Sequence, residues 1–428
     1  MKKLLILSAF LLSISPLTAD AQRRIAGTPV EKFTIVYSSA TEDEEGLDIA
    51  RTLQQQLVAG GLPELAILPD SAFRRGKALR ILPAPEKEPF GYGIQLRRGD
   101  LTIDGGGSWA LAAAANRVTE MLAKGDIPRT CNITGTVEGE QLFFRTAGSN
   151  LRILADNIWD YSREDIPEAW QAIGEDPRDD VRAPQFAQLV RAFMPDVLNL
   201  QEYSLHMHER FYPLIRKYGY RIAYEGDGPW NNTPVFYNPE TVEPVAVNYV
   251  LYTPSQWSNK GSKSFTSAVF RHKATGRLFA VLNTHLWWKI DAAQPGSTHA
   301  RVAQVHLMMA EAEILKAKYG CTIFVTGDMN AYEDDLPIRQ FFDGGYVPCY
   351  KIATDRTHTG NGHHVCSPKE GYSRRTSRRS LDREQGAIDH CFIHNAQEGV
   401  VVKAFDCVTA RFTIKLTDHY PYLIDVAL

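Results

Sequence analysis

Four short apolar runs, each closed by a polar cluster, constrain the fold of this chain more than any other feature. The runs are 151–155, 196–200, 278–282 and 322–326. They lead into Asp156-Asn157-Ile158-Trp159, Gln201-Glu202, Asn283-Thr284-His285-Leu286 and Gly327-Asp328-Met329-Asn330. Ile388-Asp389-His390 and Thr417-Asp418-His419 follow near the C-terminus. Runs of this length, bounded by polar residues, read as buried strands. Helical periodicity over 181–193 and 300–318 separates some of them, and that alternation argues a layered α/β domain.

Strand ends hold polar side chains along one rim of a sheet. The rim inventory here is Asn157, Glu202, His285, Asp328, Asn330, Asp389, Asp418 and His419. Hard oxygen ligands suit a magnesium-class cation, and the imidazoles add proton or charge handling. A carboxylate such as Glu202 at the end of a buried run is costly unless it meets a cation or a hydrogen-bond network. Asp328 and Asn330 are two apart, so on an extended segment their side chains point the same way. Asp389, at the start of a further strand, is placed to fix the tautomer of an imidazole. Taken singly, each cluster is an ordinary turn cap or polar histidine; the ordered set carries the reading.

At 428 residues the chain exceeds one ordinary domain. A net charge of −3 gives no global attraction to polyanions, so any polyanion binding needs a local patch. Lys2 and Lys3, an apolar stretch over 4–12 and Ala19-Asp20-Ala21 read as an export signal over 1–21. That apolar stretch is too short for a mature membrane anchor. The expected location is secreted or periplasmic. The six cysteines show no metal-ligand spacing, and a Cys349–Cys366 disulfide is compatible with export.

Residues 22–146 read as a small α/β domain. A strand over 33–37 and a helix over 47–57 precede strands near 78–82, 92–96 and 101–103, then an alanine-rich helix over 109–122. The glycine-rich phrase Gly91-Tyr92-Gly93-Ile94, Gly99-Asp100-Leu101-Thr102-Ile103 and Gly106-Gly107-Ser108-Trp109-Ala110 resembles the noncatalytic domain preceding the barrel of β-hexosaminidase-type glycoside hydrolases. Gly105-Gly106-Gly107 reads as a tight packing turn, because no Lys-Ser/Thr follows to hold a phosphate.

From about Asn150 to Leu428, the ordered clusters closely resemble the endonuclease/exonuclease/phosphatase superfamily. The resemblance implies an α+β/α/β fold: a four-layer sandwich of two packed mixed β-sheets flanked by helices, here over 147–428. It implies that Asn157, Glu202 and Asp418 lie at a Mg²⁺ site, with Mn²⁺ or Ca²⁺ as alternatives. His285 would donate to the scissile phosphate, Asp328 would orient or deprotonate water, and Asn330 would hold both. His419, oriented by Asp389, would stabilise developing charge. Two departures stand out. Thr417 replaces the usual Ser, and His285 resembles the deoxyribonuclease and sphingomyelinase branches more than the abasic-site one.

Trp287, Trp288, Arg301, Arg374 and Arg375 are candidate substrate contacts. The aromatics offer a stacking surface, and the Arg374-Arg375-Thr376-Ser377-Arg378-Arg379 run offers grip on phosphate. Arg301 and Gln304 follow the Trp pair in a helix and read mainly as support. His358, His363 and His364 read as a polar loop rather than a second metal site. The expected function is a secreted metal-dependent phosphodiesterase acting on nucleic acid, a phospholipid headgroup or a small phosphate ester. Nuclease, sphingomyelinase-like and phosphomonoesterase activities remain alternatives, as does a catalytically silent carbohydrate-binding protein.

Overall fold

The computed structural model describes residues 23–39, 45–59, 61–84, 87, 91–106, 108–137, 145–172, 174, 176–226, 230–258, 262–356, 387–408 and 416–428. These fall into two compact units, with the division just before Arg145.

The N-terminal unit is a mixed six-stranded sheet. Its order is Ile67–Pro69, Phe33–Tyr37, Lys77–Pro83, Asp100–Gly105, Gly91–Arg97 and Asn132–Thr136. The first four run parallel to one another, and Gly91–Arg97 is antiparallel to both of its neighbours. The helices Glu45–Ala59 and Ser108–Lys124 complete it. A Cβ at Gly105 would lie 2.8 Å from that of Ala110. The glycine therefore lets the strand end meet the alanine-rich helix, which is the packing role read from its turn.

The second unit contains two mixed sheets. The seven-stranded sheet runs Arg221–Ile222, Val235–Tyr237, Val197–Gln201, Leu151–Asn157, Tyr422–Ala427, Val401–Cys407 and Asp355–Arg356. The six-stranded sheet runs Val242–Leu251, Ser264–His272, Leu278–His285, Thr322–Asp328, Asp389–His394 and Val347–Pro348. Leu151, Ile153, Ala155 and Ile424 of the first share a buried core with Phe279, Val281 and Phe324 of the second. On the other face of the second sheet, Ala280, Leu282, Ile323 and Val325 pack against Val305, Met308 and Ala312 of the helix Ser297–Tyr319. Both faces of these strands are covered, which is why they read as continuous apolar runs instead of alternating ones. The first sheet is flanked by the contacting helices Asp179–Phe193 and Leu205–Lys217. The result is the four-layer α/β sandwich.

Parallel pairing gathers the polar clusters on one rim. Leu151–Asn157 runs parallel to Val197–Gln201, and Leu278–His285 parallel to Thr322–Asp328, with His285 opposite Asp328. Asp389–His394 runs antiparallel and sets Asp389 opposite Asp328. Near this rim the sheets are tied together by inward amides and hydroxyls. Gln201 Nε2 donates to Asn283 Oδ1 at 2.6 Å, and Asn199 Nδ2 to Thr326 Oγ1 at 2.8 Å. The Tyr422 hydroxyl donates to His390 O at 2.7 Å and accepts from Gly327 N at 2.9 Å. Gly327 has φ +142°, and a Cβ there would fall 1.9 Å from Thr284 O. Only glycine permits this approach, which sets Asp328 beside His285.

Candidate active site

Asn157, Glu202, His285, Asp328, Asp389 and His419 converge at the rim. The Asn157 amide donates to Asp328 Oδ2 at 2.9 Å and lies 3.4 Å from Glu202 Oε1. His285 Nε2 lies 3.4 Å from Asp328 Oδ2 and 3.8 Å from Glu202 Oε1. Two donor groups follow, Glu202 with His285 and Asp328, and Asp328 with Asp389 and His419; within each the ligand atoms lie within 4.8 Å of one another. Asp328 belongs to both.

On one side, His419 Nδ1 bonds Asp389 Oδ2 at 2.7 Å. That contact turns Nε2 toward the gap, 3.9 Å from both Asp328 Oδ2 and Asp418 Oδ1. Burial opposes a charged His419, but the carboxylates of Asp389 and Asp418 outweigh it, and the ring's pKa is raised well above the usual histidine value. Burial pushes Asp389 up to about 6 against the pull of His419. The pair is read as imidazolium and carboxylate at neutral pH. The Thr417 hydroxyl donates to Asn157 O, so the threonine does the job of binding the neighbouring segment.

On the other side stands Lys263, which the motifs do not reveal. Its side chain is buried and its Nζ contacts both ring nitrogens of His285, Nδ1 at 3.0 Å. Burial lowers the ammonium's pKa to about 8, with Glu202 and Asp328 working against the shift. Burial, then the charges of Lys263 and His419, hold His285 well below the usual histidine value and therefore neutral.

Several candidates lie elsewhere than the sequence suggested. The strand stops at Asp328, and Asn330 sits beyond it at φ +46°. The two-residue alternation therefore does not apply. Instead, Asn330 N donates to Asp328 Oδ1 at 2.9 Å and its amide to Leu286 O at 3.1 Å. Trp287 is core: its ring meets Trp257 edge-on and its Nε1 donates to Ser297 Oγ at 3.1 Å. It offers no stacking surface, whereas Trp288 is 51% exposed. Arg301 is buried and donates to Lys289 O at 2.7 Å and Trp287 O at 3.2 Å. These bonds make it a support of the Trp288 loop. Arg374, Arg375, Cys366, His358, His363 and His364 lie outside the described residues. Cys349, the other half of the expected disulfide, is a buried free thiol in the inter-sheet core.

The donor set fits a divalent cation. Glu202, Asp328, Asp389 and Asp418 crowd one rim, and Asp389 Oδ1 is buried without a partner. Carboxylate oxygens match a hard metal better than a thiophilic one, while Asn157 turns its Oδ1 to Trp159 N and contributes a hydrogen bond to Asp328 instead of a ligand atom.

A profile described as Endonuclease/Exonuclease/phosphatase family matches residues 173–419. The chain belongs to the endonuclease/exonuclease/phosphatase family. The yeast (Saccharomyces cerevisiae) RNA exonuclease NGL1 is 36% identical over 81 residues, 18% of this chain and 22% of that protein. The chain thus spans about a fifth of that relative's length. A family structure from Bacteroides vulgatus is 21% identical, covering 65% of this chain and 98% of its own at TM-score 0.48. A Bacteroides thetaiotaomicron mannosyl-6-phosphatase is 19% identical, covering 65% and 100% at TM-score 0.49. Family enzymes are generally dependent on divalent metals and hydrolyse phosphoesters such as nucleic acids or sugar phosphates. Among the described residues, no helix is long and apolar enough to cross a membrane.

Proposed function

We propose that this endonuclease/exonuclease/phosphatase family member is an exported, magnesium-dependent phosphodiesterase. The observation that carries the reading is the sharing of Asp328 between the two donor groups. A hydrolytic centre needs a cation, a placed water and a donor for developing charge within one small gap.

Glu202 and Asp418 would hold the cation, Mg²⁺ by preference and Mn²⁺ or Ca²⁺ by similar chemistry, with the Asn157 amide beside them donating to Asp328. Bound there, it supplies Lewis-acid stabilisation of a phosphate oxygen. Asp328 Oδ2 faces the gap and accepts the proton of the attacking water as the new P–O bond forms. His419, kept charged by Asp389, stabilises the phosphate as the ester P–O bond breaks. The Lys263 ammonium behind His285 balances the acidic cluster. Trp288 is available to stack on a ring beside the scissile phosphate.

The RNA exonuclease relative favours a nucleic-acid diester, with phospholipid headgroups and small phosphate esters as the other substrates to compare. The leader over 1–21 supports export, and 22–146 is proposed as an accessory domain that the chemistry does not require. The test is hydrolysis of bis-p-nitrophenyl phosphate with Mg²⁺, followed by DNA, RNA, sphingomyelin and sugar phosphates. EDTA should abolish turnover, and Glu202→Ala should lower it about a hundredfold or more. A rate indifferent to both would sink the reading.

A further inference from the structure

The guanidinium of Arg182 lies behind the metal-site residues, fully buried and outside every motif. Its Nη1 donates to Ile158 O at 2.6 Å and to Leu416 O at 2.9 Å, and its Nη2 to Trp159 O at 2.9 Å. Asp179, also fully buried, balances the charge and accepts from His206 Nδ1 at 2.9 Å. The Trp159 ring covers the guanidinium at 5.5 Å.

Two of those carbonyls belong to successive peptide groups whose N–H groups face the other way. The Ile158–Trp159 peptide gives its C=O to Arg182 and its N–H to Asn157 Oδ1 at 3.0 Å. The Trp159–Asp160 peptide gives its C=O to Arg182 and its N–H to Glu202 Oε2 at 2.9 Å. In a trans peptide the two groups point in opposite directions, so fixing one fixes the other. Both peptides align because Trp159 is left-handed, at φ +57°. Consecutive N–H groups held in this way form a small concave donor pair. The third carbonyl, Leu416 O, opens the segment carrying Asp418.

We infer that Arg182 is a positioning residue that holds the Glu202 carboxylate at the metal site, and the Asn157 amide that donates to Asp328 beside it, through the two peptides flanking Trp159, and anchors the Asp418 segment to them. The inference rests on the metal-site reading above. Partners that orient metal ligands typically contribute about 10–100-fold in affinity.

The experiment measures Mn²⁺ binding by calorimetry on the full chain, alongside Tm. Arg182→Lys keeps the charge but loses the planar fork, and Mn²⁺ affinity should fall about tenfold or more. Trp159→Val forces a β-branched residue into left-handed backbone and should weaken Mn²⁺ similarly, while Trp159→Gly, at ease there, should bind within a few-fold of wild type. This second pair carries the test if Arg182→Lys does not fold. Arg152→Lys disturbs a comparably buried pair with Asp425. It should lower Tm and leave Mn²⁺ affinity unchanged. Wild-type affinity in both Arg182→Lys and Trp159→Val, or equal losses in Trp159→Val and Trp159→Gly, overturns the inference while the metal reading stands. Wild-type protein that binds no Mn²⁺ overturns both.

Discussion

His285 and His419 flank the same carboxylate, are both buried, and are driven to opposite charge states. His419 is 8% exposed and held charged by Asp389, whereas His285 is 1% exposed and held neutral by its burial and Lys263. Burial alone would neutralise both rings, so the difference comes from the partner. Charge on the Asp389 side can answer charge developing on a phosphate. On the Lys263 side the cation is the lysine, and the ring is left to bridge toward Glu202 and Asp328.

Removing the shared member should have the largest effect. Asp328→Asn is expected to lower kcat on bis-p-nitrophenyl phosphate by about a hundredfold to a thousandfold, because both sides lose their common anion. Next, the two sides should part. Asp389→Asn should lower kcat about a hundredfold by freeing the His419 ring, while Lys263→Met should lower it by about tenfold and let the His285 pKa rise in an NMR titration. Equal losses in the two variants would break the asymmetry.

The pH profile sharpens the contrast further. Activity should fall as pH drops through about 6, where Asp389 takes up a proton, and as pH rises through about 8, where Lys263 loses one. Lys263→Arg should remove the alkaline limb, since arginine keeps its charge. The sign for stability is the reverse on that limb. Above about 8 the folded lysine is neutral while the unfolded one stays protonated up to its ordinary value. Stability from this group therefore rises with pH even as activity falls, and a Tm series separates deprotonation from unfolding. The smallest effect is expected at the edge: Trp288→Ala should raise KM for a ring-bearing diester a few-fold and leave kcat in place.

The central strands were legible because they are covered on both faces, which leaves unbroken apolar runs ending in polar residues; the four-layer sandwich itself came from the family resemblance of the ordered clusters. That Asp389 orients an imidazole was legible from its place at a strand start, and His419 as the partner came from the family resemblance. Lys263 was not legible. It becomes a neighbour of His285 only when Ser264–His272 folds back on Leu278–His285 and sets Ser264 opposite His285. The turn at Gly276 was the available signal for that hairpin. Trp287 was misplaced because exposure depends on the helix Ser297–Tyr319, which covers one face of the loop, whereas the supporting role read for Arg301 agrees with its bonds to Trp287 O and Lys289 O. Asn330 was misread because the strand ends two residues before it.

Trp159, Glu202 and Asn330 all hold positive φ, at 57°, 57° and 46°. Non-glycine residues in that region each carry roughly 1–3 kcal/mol of strain where surroundings enforce it. Anyone selecting heat-resistant versions of this chain should find glycine favoured at Glu202 and Asn330. Survivors that have lost Glu202 would be sturdier and chemically inert, so thermal selection on this chain needs a turnover screen run in parallel.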